Sequence, residues 1–401
     1  MTRMLQESLQ DIREQLALLL KKQDGVAADK IRWILSPYRI CPLGAHVDHQ
    51  GGAVLGMTIE LYTLLAFAPL NAPEVRLHSL NYDRPARFAL PVPRQPVDGW
   101  WRYAAGAAYA LQQKHQLRRG LVGAVWGALP GGGLSSSASV GLAYLLALAD
   151  SNGLELESRE LVELDRILEN EFLGLKNGIL DQTSIVYGRE RKLLYIDTRH
   201  FRVTPIALPE NHPSFKFLIL YSGISRELTG TGFNQRVQEC HEAAQRLAEL
   251  SSSGAYTLLG EVPRAVFEQY ADRLPEPLRK RAKHFFAETE RVEKGRALWQ
   301  VGDLQAFGRL MNASCRSSIE QYESGSEPLR VLWQLLTERD GVYGSRFSGG
   351  GFGGCVIALV QADQAEAIGR SVLEPYLQRF PELKGKARFI ITETDDGLRR
   401  L

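Results

Sequence analysis

The sequence predicts an α+β protein with two domains. At 401 residues the chain is longer than one ordinary hydrophobic core supports, so two domains are expected. Segments with strand-like and helix-like patterns alternate along its length, which indicates a mixed class. A hydrophobic fraction of 44% and a charged fraction of 23% are typical of a soluble globular protein. Class and domain number therefore follow from length, pattern and composition together.

The chain begins with the pattern of an amphipathic helix. Apolar residues recur at three- and four-residue steps among charged ones, at Leu5, Leu9, Ile12, Leu16 and Leu19. This is not the pattern of a signal peptide, and no apolar run approaches the ~18 residues of a membrane span. We therefore expect a cytoplasmic protein with no membrane partner.

The middle of the chain predicts a strand, a glycine-rich turn and a buried helix in succession. The strand is Leu121–Leu129, the turn is Pro130–Ser139 (PGGGLSSSAS), and the helix Val140–Ala149 has a tyrosine hydroxyl as its only polar group. A further helix begins at Ser158, which can cap it, and ends near Gly174.

A proline-rich stretch predicts the domain boundary. Leu193–Asp197 and Phe215–Tyr221 have strand patterns, and residues 204–214 between them hold three prolines. We place the boundary near residue 205, which gives domains 1–205 and 206–401. The second domain is predicted to contain a helix bearing Val237, Cys240, Ala244 and Leu247, a strand Cys355–Val360, a helix at about 364–377 and a last strand Arg388–Thr392.

Charge and cysteine content exclude some classes of partner. A net charge of +2 argues against nucleic acid as the main partner. The four cysteines, Cys41, Cys240, Cys315 and Cys355, are too widely spaced for a metal knuckle and fit a reduced intracellular protein.

The glycine- and serine-rich turn is suited to holding phosphate. Glycines allow the backbone to come close to an anion, and the first N–H groups of the following helix point at it. Serine hydroxyls add ligands for phosphate oxygens or magnesium. The turn matches neither a Walker loop, which needs a lysine, nor a dinucleotide loop, which needs glycine where Ser136 stands. The alternative is a serine-capped helix after a flexible turn.

Three other segments join this turn in a resemblance to a known family. They are PYRICPLGAHVDHQGG (Pro37–Gly52), ENEFLGLKNGILDQ (Glu169–Gln182) and GSRFSGGGFGGC (Gly344–Cys355). With the serine loop they resemble, in order and spacing, the GHMP family of small-molecule kinases and its galactokinase branch. The resemblance implies a two-domain fold with the active site in the interdomain cleft, a ferredoxin-like C-terminal domain, and ATP with Mg²⁺ as cofactors.

The resemblance also implies the residues of phosphoryl transfer. Asp181 matches the catalytic base, and Arg39 the arginine beside it; a helix-capping Asp and a surface Arg are the alternatives. Glu169 and Ser137 match the magnesium ligands, with Glu171 as a competing candidate. The nucleotide-binding residues would be Trp100, Tyr103, Gly131, Gly132, Gly133, Leu134, Ser135, Ser136, Ser137, Gly350 and Gly351. Core packing is the alternative for the two aromatic side chains.

The sugar-binding residues depart from the galactokinase pattern. His46 and Asp48 match residues that contact ring hydroxyls, although a structural His–Asp hydrogen bond is an alternative. Ala45 stands where galactokinases have a Glu that accepts from the 6-hydroxyl, so an anionic substituent at carbon six meets no repulsion. Lys176 and Asn177 replace Pro-Cys before Gly178, and the lysine adds a positive charge that suits a uronate. Phe233 replaces a sugar-contacting Tyr.

These substitutions look most like those of galacturonokinases. The sequence therefore predicts an ATP-dependent sugar 1-kinase that makes galacturonate 1-phosphate. Galactokinase and L-arabinokinase are the alternatives within the family, since arabinopyranose has no carbon six. A catalytically silent sensor of sugar and ATP is the alternative from another class, against which the four transfer residues Arg39, Ser137, Glu169 and Asp181 argue.

Overall fold

The computed structural model of the chain describes residues 8–95, 97–225, 232–252 and 254–401. Leu5, of the predicted first helix, lies outside these ranges. The α-helices are Leu9–Asp24 (α1), Arg102–Gln112 (α2), Ser136–Ser151 (α3), Ser158–Ile167 (α4), Leu180–Tyr187 (α5), Phe233–Ser251 (α6), Arg264–Tyr270 (α7), Glu276–Val301 (α8), Leu304–Glu320 (α9), Glu327–Thr337 (α10) and Ala365–Arg379 (α11). Over the described ranges, no helix is long and apolar enough to cross a bilayer.

The strands form two separate sheets. They are Arg32–Leu43 (β1), Val54–Pro69 (β2), Glu74–Ser79 (β3), Ala86–Ala89 (β4), Leu121–Gly127 (β5), Lys192–Asp197 (β6), Arg202–Ala207 (β7), Phe215–Tyr221 (β8), Val342–Phe347 (β9), Cys355–Gln361 (β10), Arg388–Thr392 (β11) and Arg399–Arg400 (β12). The first sheet runs in the order β12-β1-β2-β5-β3-β4, with β6 on β2 and β7 on β6. The second runs β11-β8-β10-β9. The mixed α and β class is thus confirmed.

The first sheet takes strands from both ends of the chain. Strand β12 pairs with β1, so the C-terminal residues return to the N-terminal sheet. Arg388–Thr392 is the predicted strand β11, but it is not the last one, because β12 follows it. Residue 205 lies inside β7, which pairs with β6 throughout. The division into domains 1–205 and 206–401 stays a prediction. A boundary at residue 205 would cut through a strand of the first sheet.

The second sheet has antiparallel pairs only, between β8 and β10, β10 and β9, and β11 and β8. Its central strands read as unbroken apolar runs because both faces are covered: residues 217–220 and 355–360 are buried without interruption. The predicted strands Phe215–Tyr221, Cys355–Val360 and Arg388–Thr392 all lie in this sheet, as β8, β10 and β11.

Helix α3 is buried at nearly every position, as its apolar sequence predicts. The glycine- and serine-rich turn connects α3 to β5 and lies against the glycine-rich turn that precedes β10. A Cβ atom on Gly354 would lie 2.8 Å from the Gly133 Cα, so only glycine allows these two backbones to approach so closely. The two turns therefore lie against each other between the sheets.

The predicted helix from Ser158 to Gly174 is confirmed in extent but not in its cap. Glu157 is the N-cap and Ser158 is the first helical residue, with no side-chain capping bond. Beyond α4 the chain widens into a π-helical turn at Leu168–Phe172, which carries Glu169. Such turns are frequent at functional sites.

Candidate active site

Asp181, at the second residue of α5, is held by two partners on opposite sides. Arg39 donates to its Oδ1 from Nε at 2.8 Å and from Nη2 at 2.7 Å, and the Ser135 hydroxyl donates to Oδ2 at 2.5 Å. The Asp181 side chain is 20% exposed, whereas that of Arg39 is 4% exposed. Both carboxylate oxygens are therefore oriented by charged or hydroxyl donors, while the group keeps access to the cleft.

Arg39 connects all four of the segments identified in the sequence. Its Nη1 donates to the Ser348 hydroxyl at 3.0 Å, and its main-chain N–H donates to the Leu134 carbonyl at 3.2 Å. Although burial opposes its charge, Asp181 and other anionic neighbours together raise the pKa of Arg39. A permanent cation therefore sits beside Asp181.

The glycine- and serine-rich turn adopts the left-handed conformations that glycine favours. Gly131 and Gly133 have φ of 70° and 78°, and Ser135 is also left-handed at 58°. The Ser136 hydroxyl accepts from the Gly131 N–H at 2.9 Å, which closes the turn. Helix α3 begins at Ser136, so its free N–H groups and the positive end of its dipole lie at this turn.

A cavity of about 490 Å³ opens between this loop and the glycine-rich turn. Its size is that of a site for a small molecule such as a nucleotide. The predicted residues that line it are Arg39, Trp100, Tyr103, Gly131, Gly133, Ser135, Ser136, Ser137, Glu169, Asp181, Gly350 and Gly351. Gly132 and Leu134 are buried behind the loop instead.

The two predicted aromatic residues lie at one side of the cavity. The Trp100 indole N–H donates to the Arg84 carbonyl at 2.8 Å, and its ring is parallel to that of Tyr82, with centroids 5.8 Å apart. Tyr103 and Arg102 line the same wall. Both side chains therefore border the cavity, and both also pack against the hydrophobic core beneath it, as the packing alternative expects.

Glu169 is buried beside Ser137 and has an unused oxygen. It is 1% exposed, its Oε2 accepts from the Asn177 amide, and its Oε1 has no hydrogen bond. Burial and the nearby Asp181 raise the pKa of Glu169 to about 7, and the Ser137 hydroxyl lies within hydrogen-bonding reach of it. Glu171 is exposed and does not line the cavity, so the structure favours Glu169 of the two candidates.

A magnesium ion would fit this arrangement. Among the described residues no cluster of three His, Cys, Asp or Glu side chains is placed to hold a metal. Magnesium needs no such cluster, because one carboxylate, a hydroxyl and phosphate oxygens complete its shell with water. A cation there would satisfy the unused Oε1 of Glu169.

Asp48 and Gly178, two of the predicted sugar-binding residues, contact each other directly. The Leu180 N–H donates to Asp48 Oδ2 at 3.1 Å, and a Cβ on Gly178 would lie 2.4 Å from that oxygen. Burial, with the nearby Asp181, raises the pKa of Asp48 to about 6. Asp48 thus fixes the start of the helix that carries Asp181.

His46 is buried in a left-handed conformation, with φ of 61°. Its ring stacks on Tyr322 at 4.2 Å between centroids, and Ser324 Oγ lies 3.5 Å from its Nε2. Burial holds the pKa of His46 well below its usual value, so the ring is neutral. No hydrogen bond joins the two described side chains of His46 and Asp48, so the structural pair considered as an alternative does not form.

The remaining predicted residues lie around the same end. Phe233 begins α6, is buried, and its ring lies 6.3 Å from that of His46. Asn177 donates to Glu169 and accepts from Asn170 at 2.7 Å, so its amide supports the metal-ligand candidate. Lys176 is exposed, and its main-chain N–H donates to Asn234 Oδ1 at 3.0 Å.

Three kinds of contact in the structure were not predicted from the sequence. Ser135 was predicted to hold phosphate, but its hydroxyl binds Asp181. Ser348, next to the predicted glycines, holds Arg39. Tyr322, His284 and Glu288, which contact residues 44–46, carry no local signal because they are separated from that segment by more than two hundred positions.

Known proteins are similar to this chain in sequence and in fold. The family model for the GHMP kinases N terminal domain matches residues 102–189, and that for the GHMP kinases C terminal matches residues 296–377. The chain is similar to galacturonokinase of Arabidopsis thaliana, 41% identical over 421 residues and 98% of each protein. It is 33% identical to galactokinase of Streptococcus thermophilus over 96% of this chain and 99% of that protein. The structure of Lactococcus lactis galactokinase complexed with galactose superimposes with a TM-score of 0.89 at 28% identity, over 97% of this chain and 100% of that one.

Proposed function

The chain belongs to the GHMP kinase family, in which it is a sugar 1-kinase of the galactokinase branch, and we propose that its substrate is D-galacturonate. The observation that carries the kinase activity is the Arg39–Asp181–Ser135 cluster at the edge of the 490 Å³ cavity. The choice of galacturonate is supported by Ala45 and by the 41% identity to the Arabidopsis galacturonokinase.

The proposed reaction transfers the γ-phosphoryl group of ATP to the anomeric hydroxyl. The Asp181 carboxylate takes the hydroxyl proton, the C1 oxygen forms a bond to the γ-phosphorus, and the bond from that phosphorus to the β–γ bridging oxygen breaks to release ADP. Arg39 and the N–H groups at the start of α3 stabilise the negative charge that develops on the phosphoryl oxygens. Magnesium bound by Glu169 and Ser137 would supply further positive charge to the phosphates.

Position 45 decides which substituent carbon six can carry. A glutamate there would accept a hydrogen bond from a hydroxyl and repel a carboxylate, whereas Ala45 does neither. Lys176 is the predicted source of positive charge for an anionic substituent, and its side chain is exposed on a flexible four-carbon stem. We therefore assign the galacturonate preference to the absence of repulsion first and to Lys176 second.

A substrate panel tests this proposal. ADP release is measured with galacturonate, glucuronate, galactose and L-arabinose at equal ATP and magnesium, and ³¹P NMR identifies the position of the new phosphate. The proposal expects the highest kcat/KM with galacturonate and a product phosphorylated at C1. A preference for galactose or arabinose would overturn the uronate assignment, and absence of ADP release with every sugar would indicate a silent sensor.

A further inference from the structure

Two side chains of helix α8 form hydrogen bonds with the main chain of Ala45, the residue to which we assign the sugar preference. The Ala45 N–H donates to Glu288 Oε1 at 3.3 Å, and the Ala45 carbonyl accepts from His284 Nε2 at 2.9 Å. The Gly44 N–H donates to the same Glu288 oxygen at 2.7 Å. His284 and Glu288 are four residues apart and thus share one face of α8. We call this pair the α8 clamp.

Glu288 is built to act as a permanent acceptor. It is fully buried, and it also accepts from the Ser314 hydroxyl at 2.5 Å and from Arg291 Nε at 2.7 Å. Arg346 lies 3.6 Å away on the other side. Burial opposes its charge, but these two arginines outweigh it and lower the pKa of Glu288 to about 2. A buried carboxylate is tolerated only when it is paired in this way.

His284 has only one arrangement of its ring proton that satisfies both neighbours. Burial lowers the pKa of His284 to about 4, so the ring is neutral near pH 7. A carbonyl can only accept, so Nε2 carries the proton and donates to Ala45. Nδ1 then accepts from the Ser317 hydroxyl at 2.9 Å. The clamp is therefore a fixed set of donors and acceptors.

The rest of the segment is anchored from the same side. His46 stacks on Tyr322, and the His284 ring lies 5.2 Å from the Tyr322 ring. A short main-chain segment with one left-handed residue, His46, is thus held at its N–H groups, a carbonyl and a ring. Without these contacts the strained conformation has no compensation.

We propose that His284 and Glu288 are positioning residues for sugar specificity. Because they bind both the main-chain N–H and the carbonyl of Ala45, they fix the direction in which the side chain at position 45 faces the substituent at carbon six. This inference rests on the proposed function, because it uses the orientation of the sugar assumed there. Neither residue touches the reacting atoms in the proposed reaction, so both act through the 44–46 segment.

The test separates positioning from structural support by comparing two sugars. In His284→Ala we expect KM for galacturonate to rise about tenfold, as for loss of a buried hydrogen bond, and KM for ATP to change by no more than about twofold. KM for arabinose, which has no carbon six, should rise less. His284→Gln, which keeps a donor at the same distance along the side chain, should recover most of the galacturonate KM. Glu288→Met, which has a similar volume but no oxygen to accept from the Gly44 and Ala45 N–H groups, should behave like His284→Ala.

Glu239→Gln is the matched control. It breaks the buried Glu239–Arg281 pair, 2.7 Å long, which also involves α8 but does not touch residues 44–46. It should lower Tm without changing the ratio of galacturonate to arabinose KM. If His284→Ala is insoluble, Ser317→Ala and His284→Gln replace it. Ser317→Ala should then change the ratio of galacturonate to arabinose KM, and His284→Gln should leave that ratio unchanged.

Equal loss for both sugars and ATP, or failure of His284→Gln to restore the ratio, would overturn the positioning role. These outcomes are distinct from failure of the proposed function, which appears in the wild type alone as a preference for another sugar. In that case the same ratio, measured with galactose in place of galacturonate, still tests the clamp.

Discussion

The two halves of the site are built differently. In the transfer half, Arg39, Ser135 and Asp181 contact each other through side chains at 2.5–2.8 Å, and Glu169 and Ser137 are neighbours. In the sugar half, the residue expected to decide specificity, Ala45, is held only through its main chain. A change in the transfer half therefore disturbs several partners, whereas the Ala45 side chain makes no hydrogen bond or ion pair that a change there would break. This difference explains how one reaction can be retained while its substrate varies.

The largest effect is expected at Asp181. Asp181→Asn keeps the size and the planar shape of the side chain but cannot take a proton. Turnover should therefore fall by about two orders of magnitude or more, as for loss of a positioned base. Sugar affinity by calorimetry and Tm serve as controls and should change little. Near-normal turnover would remove Asp181 from the transfer half.

A smaller effect is expected at the metal-ligand candidates. Glu169→Gln and Ser137→Ala should each raise the magnesium concentration needed for half-maximal activity by about tenfold, because each removes one ligand. Glu171→Gln is the control, since Glu171 is close in sequence but exposed. Titration with Mn²⁺ followed by EPR gives the same comparison without turnover. If Glu171→Gln has the larger effect, the assignment is reversed.

A substitution in the side of the cavity that carries Trp100 and Tyr103 should have a weaker effect on activity. Tyr103→Ala removes one ring from the cavity, so KM for ATP should rise about threefold to tenfold while KM for the sugar changes less. Initial rates at varied ATP and varied sugar measure the two constants. An equal rise in both would show general damage to packing.

The smallest effect concerns stability and comes from Asp165, one helical turn before Glu169. It is fully buried with no hydrogen bond on either oxygen, and burial raises its pKa well above the ordinary value. The folded state thus favours the protonated form, so the wild type loses stability as pH rises above the pKa of the unfolded chain. Asp165→Asn should raise Tm by about 2 °C at pH 8 and by less at pH 5. An equal gain at both values would contradict this cause.

The sequence predicts the transfer half well because its parts lie in short motifs. The serine loop is identified from its own composition, and Arg39, Asp181 and the glycine-rich turn through the family resemblance of their motifs; the structure brings them together. The partners within that group were less visible. A hydroxyl such as that of Ser135 fits phosphate or carboxylate equally well on chemical grounds, and only the left-handed turn at that residue directs it to Asp181.

The support of the sugar half could not be predicted. His284 and Glu288 lie on a long helix that was not predicted from the sequence, and their contacts span 239 and 244 positions. Both residues contact α9 and the 44–46 segment, and no local pattern encodes that packing. Asn177 shows that a contact between residues close in sequence can also be missed. Its place in the motif suggested a sugar contact, but its amide donates to Glu169.

Ala45→Glu tests most directly whether specificity depends on one exchangeable side chain. The ratio of kcat/KM for galacturonate to that for galactose is measured in the wild type and in this variant, with arabinose as the sugar that lacks carbon six. We expect the wild type to prefer galacturonate and the ratio to fall by about tenfold or more, because the new carboxylate repels the uronate and accepts from the 6-hydroxyl of galactose. An unchanged ratio, or a wild type that prefers galactose, would contradict the account.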